Sequence, residues 1–317
     1  ILYHENIRIK MIGLFAGTDN GLYFIEPEKK IICELPNQKI EYIKTNRNGL
    51  AVAYVQDKGL FIRDKYGHWN QKWTGNVTSI KVTDNGTIIA GILPTALIIS
   101  INNGETWKES KGISGFINSG SMQGLSKLNI EKKIRDIIEI SGSIAIAVEN
   151  IGILISHNLG SSWVRSSDGI DTEIYKLAGD EINTEKIYAL TNSDLYTSID
   201  FALNWKKEIF ENTEINIIDI FIFSDKTKNL ILFYGNKNNE KKHMLYYVNQ
   251  KNNKIENINI DNKIKFNSHP LIVKLPNSQD TLFAVIEKKI WATHNMGQDW
   301  LEIIELKFNI KSIAVCF

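Results

Sequence analysis

The chain has 317 residues, 43% hydrophobic and 10% aromatic, which is enough to bury a large core and excludes a disordered chain. Its 37 basic and 36 acidic side chains nearly cancel, so no basic footprint points to a nucleic-acid partner. Two cysteines, Cys33 and Cys316, do not make a disulfide framework, and no stretch approaches the roughly 20 apolar residues of a membrane-spanning helix.

The opening ILYHENIRIK is too polar for the core of a signal peptide, so residues 1–10 read as an extension or leader before Met11. The cytoplasm is the default compartment; a secreted protein whose signal was removed before residue 1 is the alternative. From Met11 the chain repeats. Short apolar runs begin near residues 13, 50, 87, 143, 186, 230 and 281: GLFAGT, LAVAYV, TIIAGI, SIAIAV, KIYALT, LILFYG and TLFAVI. Each is followed by a second run: GLYFIE, GLFIRD, ALIISI, GILISH, DLYTSI, HMLYYV and KIWATH. Apolar runs of this length broken by Gly, Asn and Asp are strand signals, and no segment holds a helical period.

The clearest unit, Val77 to Ser110, reads as four strands, and units of about 40 residues with four strands are the signature of propeller blades. The expected fold is therefore all-β: a single seven-bladed β-propeller over 11–317. Its first unit lacks a good first strand, while IKSIAVCF at 310–317 looks like a first strand with nothing after it. Joined end to start they make a normal unit, so the C-terminal strand is expected to close blade one and remove its open edge. Cys33 and Cys316 then fall on the outer and inner strands of one blade, too far apart to bond, and two free thiols are expected.

Between the third and fourth strands a polar octet recurs: SINNGETW (100–107), SHNLGSSW (156–163) and THNMGQDW (293–300). A fourth copy, SIDFALNW (198–205), has Ala202 in place of Gly, and RDKYGHW in unit two is a shifted remnant. An Asn or Asp side chain can accept N–H groups of its own hairpin, Gly supplies positive φ, and a Trp can wedge between sheets. The lettering resembles the Asp box, Ser-x-Asp-x-Gly-x-Thr-Trp, of bacterial neuraminidase repeats, which also occurs in sortilin-type receptors and photosystem II assembly propellers. By that resemblance Ser100, Asn102, Gly104 and Trp107; Ser156, Asn158, Gly160 and Trp163; Ser198, Asp200 and Trp205; and Thr293, Asn295, Gly297 and Trp300 are structural. Asn at three of the four acidic positions argues against calcium there.

A binding site is expected on the other face, at the channel mouth. The candidates are Glu41, Arg135, Tyr175 and His269 from first strands, and Asp19, Asp57, Glu149 and Glu287 from the ends of second strands. An insertion at 111–132, KGISGFINSGSMQGLSKLNIEK, separates blades three and four and carries Phe116 and Met122. Such a loop reads either as a lid or partner-docking element or as a loop packed on its own blade.

Sialidases of the resembled family clamp a carboxylate with three arginines and use a Tyr–Glu pair and an acidic acid/base. Of the five arginines here only Arg135 falls near the right face; Arg63, at the end of a third strand, is a poor echo of the family's Phe-Arg-Ile-Pro. A triad cannot be assembled, and Lys does not reproduce its fork. Other Asp-box propellers hydrolyse glycans with two carboxylates, for which Asp19, Asp57 and Glu149 are candidates; no aromatic platform stands in the loops between second and third strands. Histidines lack metal spacing, and phosphate loops, nucleophile elbows and Cys-x-x-Cys pairs are absent. The expectation is an interaction propeller without metal or cofactor, binding a protein partner or polar ligand. A glycan hydrolase is the alternative.

Overall fold

The computed structural model describes residues 13–119 and 132–317, apart from 167, 181–184, 193, 210–214, 225–228, 238–243, 250–253, 258–270, 277 and 279. Seven four-stranded antiparallel sheets are traced among these residues. In chain order, their second strands are Gly13–Thr18, Ala51–Val55, Ile88–Leu93, Ser143–Val148, Ile187–Thr191, Asn229–Lys237 and Leu282–Ile286. We number the sheets one to seven accordingly.

Gly13–Thr18, Ala51–Val55 and Ile187–Thr191 read as unbroken apolar runs because both of their faces are covered. Ser143–Val148 illustrates the division. Ile144, Ile146 and Val148 pack into a cluster shared with sheet three, while Ala145 and Ala147 pack into one shared with sheet five. The same holds from sheet to sheet: each of the seven apolar clusters joins two consecutive sheets, and one of them joins sheet seven to sheet one through Phe283, Val285, Leu14 and Ile313.

Sheet one is assembled from both ends of the described chain. Ile310–Cys316 pairs antiparallel with Gly13–Thr18, from Gly13 opposite Cys316 to Thr18 opposite Ile310. Cys33 lies on the outer strand of this sheet and Cys316 on its inner strand; both are free thiols, the first exposed and the second buried.

The octets form one turn, repeated. Ser100 Oγ accepts the Gly104 N–H at 2.9 Å, Asn102 Oδ1 accepts the Thr106 N–H at 3.0 Å, and Asn103 and Gly104 both take positive φ. Ser156/Asn158, Ser198/Asp200 and Thr293/Asn295 repeat these bonds. The tryptophans stitch sheets together: Trp107 Nε1 donates to the Lys72 carbonyl, Trp163 Nε1 to Ser110 Oγ and Trp205 Nε1 to the Ser166 carbonyl, each on the preceding sheet or the segment leaving it. Trp300 instead donates to Gly297 of its own turn, its ring still packed against Leu245 of sheet six. Truncating the buried indole of Trp163, Trp205 or Trp300 to Ala would cost about 3–5 kcal/mol. In the shifted remnant, Asp64 Oδ1 accepts the N–H groups of Tyr66 and His68, both at 2.9 Å.

The insertion differs from a structureless loop at its start. Ile113–Ser119 is an α-helix without acidic residues in its first turn or basic ones in its last. Tertiary packing holds it: Ile113 is 2% exposed, and Phe116 and Ile117 lie against the Trp163 cluster. Lys132 Nζ, at the far end of the insertion, donates to the Ile117 carbonyl at 3.1 Å. Phe116, half-buried, packs against the cluster shared by sheets three and four. Met122 lies outside the described residues.

Candidate functional site

The site begins with a defect in the inner strands. Among the described residues six of them carry a β-bulge near their start, so one residue is skipped in the pairing with the second strand: Glu41, Thr78, Arg135, Tyr175, Ile218 and Lys311. A bulge leaves its extra residue outside the ladder and re-aims its side chain. Three of the first-strand residues expected at the mouth (Glu41, Arg135 and Tyr175) are therefore freed by the same backbone device. The fourth, His269, lies outside the described residues.

Glu41, Thr78, Arg135 and Tyr175 open onto one cavity of about 510 Å³ across sheets two to five, together with Asp57 from the Gln56–Lys58 hairpin. Its walls add three groups that sequence reasoning missed: Tyr42, Tyr54 and Gln56. Tyr42 and Tyr54 are stacked, 5.9 Å between ring centroids. Arg135 covers Tyr175 with its guanidinium carbon 4.5 Å from the ring centre, within cation–π range. The aromatic surface absent from the hairpin loops is thus supplied by the strands themselves. Enclosure, then the neighbouring Glu41 charge, hold the Tyr42 hydroxyl above its ordinary pKa.

Most mouth carboxylates are already committed. Glu149 Oε1 lies 2.5 Å from Arg135 Nη2, and its Oε2 accepts the Lys133 N–H at 2.9 Å. Asp19 is 2.9 Å from Lys311 Nζ, which also reaches Glu41 at 3.9 Å, and Glu41 is 3.1 Å from Lys39. The hydrogen bond that Lys311 donates to Asp19 holds its amine above the usual pKa. Asp57 lines the cavity with no ion pair or side-chain hydrogen bond among the described residues. Glu287 is exposed on a sheet-seven hairpin, away from the cavity, at φ 56°; its carbonyl accepts the Ile310 N–H.

Two polar atoms of the lining residues, Arg135 Nε and Gln56 Oε1, are buried without a hydrogen-bond partner among the described residues. Arg63 is spent elsewhere. Its Nε and Nη2 grip Glu34 of sheet one at 2.9 and 2.7 Å, and Trp69 Nε1 donates to the same carboxylate at 2.7 Å.

Sheets of four antiparallel strands packed face to face in series define a β-propeller fold. Comparison with known proteins agrees. No family model and no curated protein matches the sequence. Solved structures do. The GH74 enzyme of Niastella koreensis superposes with a TM-score of 0.63 at 14% identity, over 91% of this chain and 46% of its own; this chain spans about half of that enzyme. YCF48 bound to D1 peptide gives a TM-score of 0.58 at 13% identity, over 84% of this chain and 82% of its own. A protein from Lactobacillus plantarum gives 0.63 at 8% identity, over 97% and 100%. Identities this low carry the fold alone. No helix among the described residues is long and apolar enough to cross a membrane.

Proposed function

We propose that residues 11–317 form one closed, seven-bladed propeller of the Asp-box type. In this reading the strand at 310–317 latches the ring, and the propeller acts as a non-catalytic interaction module whose mouth cavity takes an extended segment of a protein partner. The observation that carries this is the pairing of the mouth carboxylates. Two-carboxylate glycoside hydrolysis needs an acid and a nucleophile or base facing each other. Here Glu149 is held by Arg135, Asp19 by Lys311 and Glu41 by two lysines, which leaves Asp57. The cavity instead presents the Tyr42, Tyr54 and Tyr175 rings and the Arg135 guanidinium, surfaces against which an extended peptide can lie. A peptide-bound neighbour, YCF48, has the same fold.

The tyrosines favour a second reading. Tyr42, Tyr54 and Tyr175 beside Asp57 also suit a sugar, and GH74 enzymes share the fold. One experiment separates the two. A peptide array is probed with the wild type and with Tyr42→Ala and Tyr175→Ala, while the same proteins and Asp57→Asn are assayed for reducing-end release from a panel of β-glucans. Peptides retained by the wild type and lost by both tyrosine variants, without sugar release, support the interaction module. Release that disappears in Asp57→Asn overturns it.

A further inference from the structure

Past the bulges, the inner strands of five sheets carry charges within two residues of one another along the strand. Asp136, Lys176 and Asp219 occupy the residue directly after the bulge in sheets four, five and six; Lys44 and Lys81 lie two residues further on in sheets two and three. Although they come from five separate sheets, Lys44 is close enough to feel all four of the others.

The two carboxylates are already served. Asp219 Oδ1 is 2.9 Å from Lys176 Nζ and accepts its own Ile220 N–H at 2.9 Å. Asp136 accepts the Ile137 N–H at 2.9 Å on one oxygen and the Leu177 N–H of sheet five at 2.8 Å on the other. From sheet seven, Lys274 Nζ is spent on the Ile222 carbonyl at 2.7 Å. Lys44 and Lys81 have no ion pair or side-chain hydrogen bond among the described residues. Lys176 is thus paired with Asp219, while Lys44 and Lys81 are left without a bonded counter-charge among the described residues. Desolvation, and then the Lys176 charge, hold Lys44 below the ordinary lysine pKa, while Asp136 and Asp219 oppose the shift and the residue keeps an exposed surface. At the residue directly after the bulge in sheets one and three, Ser312 and Ser79 carry buried hydroxyls without a partner among the described residues.

We propose that this cluster binds an oxyanion, held by Lys44 and Lys81 with Lys176 in support. Ammonium groups arriving from separate strands need a ligand with several acceptor oxygens, which a phosphate group or a carboxylate provides. The inference stands apart from the reading of the mouth cavity, whose residues it does not use.

The test is thermal unfolding of the full chain against increasing inorganic phosphate or sodium acetate, with sodium chloride at matched ionic strength as the reference. The expected result is a saturable rise in Tm beyond that of chloride. Phosphate alone active assigns the site to phosphate-bearing ligands; acetate equally active assigns it to carboxylates. In Lys44→Met and Lys81→Met the half-saturating concentration rises about tenfold or more, the loss of one charged hydrogen bond, while Lys108→Met on an outer strand binds as the wild type does. Where Lys44→Met fails to fold, Lys81→Met decides. The proposal falls if neither salt exceeds chloride, or if the channel-lysine variants bind as tightly as the wild type.

Discussion

Glu34 offers the sharpest test of how neighbouring sheets are joined. Its carboxylate is 8% exposed and accepts three charged or polar donors: two from Arg63 and one from Trp69. Arg63 in turn stands over Phe15 and Phe24, 5.5 and 5.6 Å from the ring centres. In Glu34→Gln one oxygen becomes an amide donor facing a donor, and the guanidinium loses its counter-charge in a mostly enclosed place. Hydrogen bonds to charged groups are worth about 1.5–3 kcal/mol, and breaking a buried pair from one side costs about 3–5. Arg63 is 25% exposed, which softens the penalty, so the expected loss is about 2–4 kcal/mol. Removing the cation as well should restore much of it. Met at position 63 keeps the apolar stem against Phe15 and Phe24, and the double variant Glu34→Gln/Arg63→Met should recover at least half of the single-variant loss. Urea unfolding followed by tryptophan fluorescence reads all three proteins, with Trp69 as a local reporter. A Glu34→Gln protein within about 0.5 kcal/mol of the wild type, or a double variant showing no recovery, would refute the inter-sheet role.

Gly104→Ala should lose about 1–3 kcal/mol, because a Cβ there, at φ 78°, collides with Ile62 of sheet two; urea midpoints check it. Asp200 is held below its ordinary pKa chiefly by the Asn204 side chain, so its contribution is whole above the unfolded value of 3.8 and is lost as pH falls through the lower folded value. Asp200→Asn, which matches the other turns, should flatten the fall in Tm between about pH 5 and pH 3 and change little at neutral pH; an unchanged acid limb would contradict this. Burial, first of all, pushes the Cys316 thiol above its usual pKa, whereas Cys33 is exposed. A thiol reagent at pH 8 should modify Cys33 rapidly and reach Cys316 only on unfolding, as peptide mapping would reveal.

Strand positions were legible because both faces of second strands such as Ser143–Val148 and Ala51–Val55 are covered, so runs such as SIAIAV and LAVAY stand out whatever their neighbours. The turns were legible because their chemistry is local: the Ser100 and Asn102 side-chain bonds that shape the Ser100–Trp107 turn close within five residues. The cavity was half legible. Glu41, Asp57, Arg135 and Tyr175 follow from strand register, but Tyr42 and Tyr54 were passed over because strict alternation gives no bulge. The signal was present in Ile40/Ile43, Ile134/Ile137, Ile174/Leu177 and Ile310/Ile313, apolar pairs three apart where a regular strand would space them by two. The Glu34–Arg63–Trp69 node and the packed helix at 113–119 were hidden for another reason. Both depend on partners fixed by the fold and not by local pattern, and Gly115 with unremarkable caps masks the helix.

The pairing of Gly13–Thr18 with Ile310–Cys316 also sets a clock. On the ribosome the first of these strands emerges roughly 290 residues before its partner, an interval of about 15–60 s at ordinary elongation rates. Throughout that time Phe15 and Leu22, fully buried in the finished protein, sit in a sheet with one side unpaired. Completion of sheet one therefore has to wait for a strand made long after the rest of that sheet. During that wait the nascent chain is at its most exposed to wrong partners and to the chaperones that guard against them.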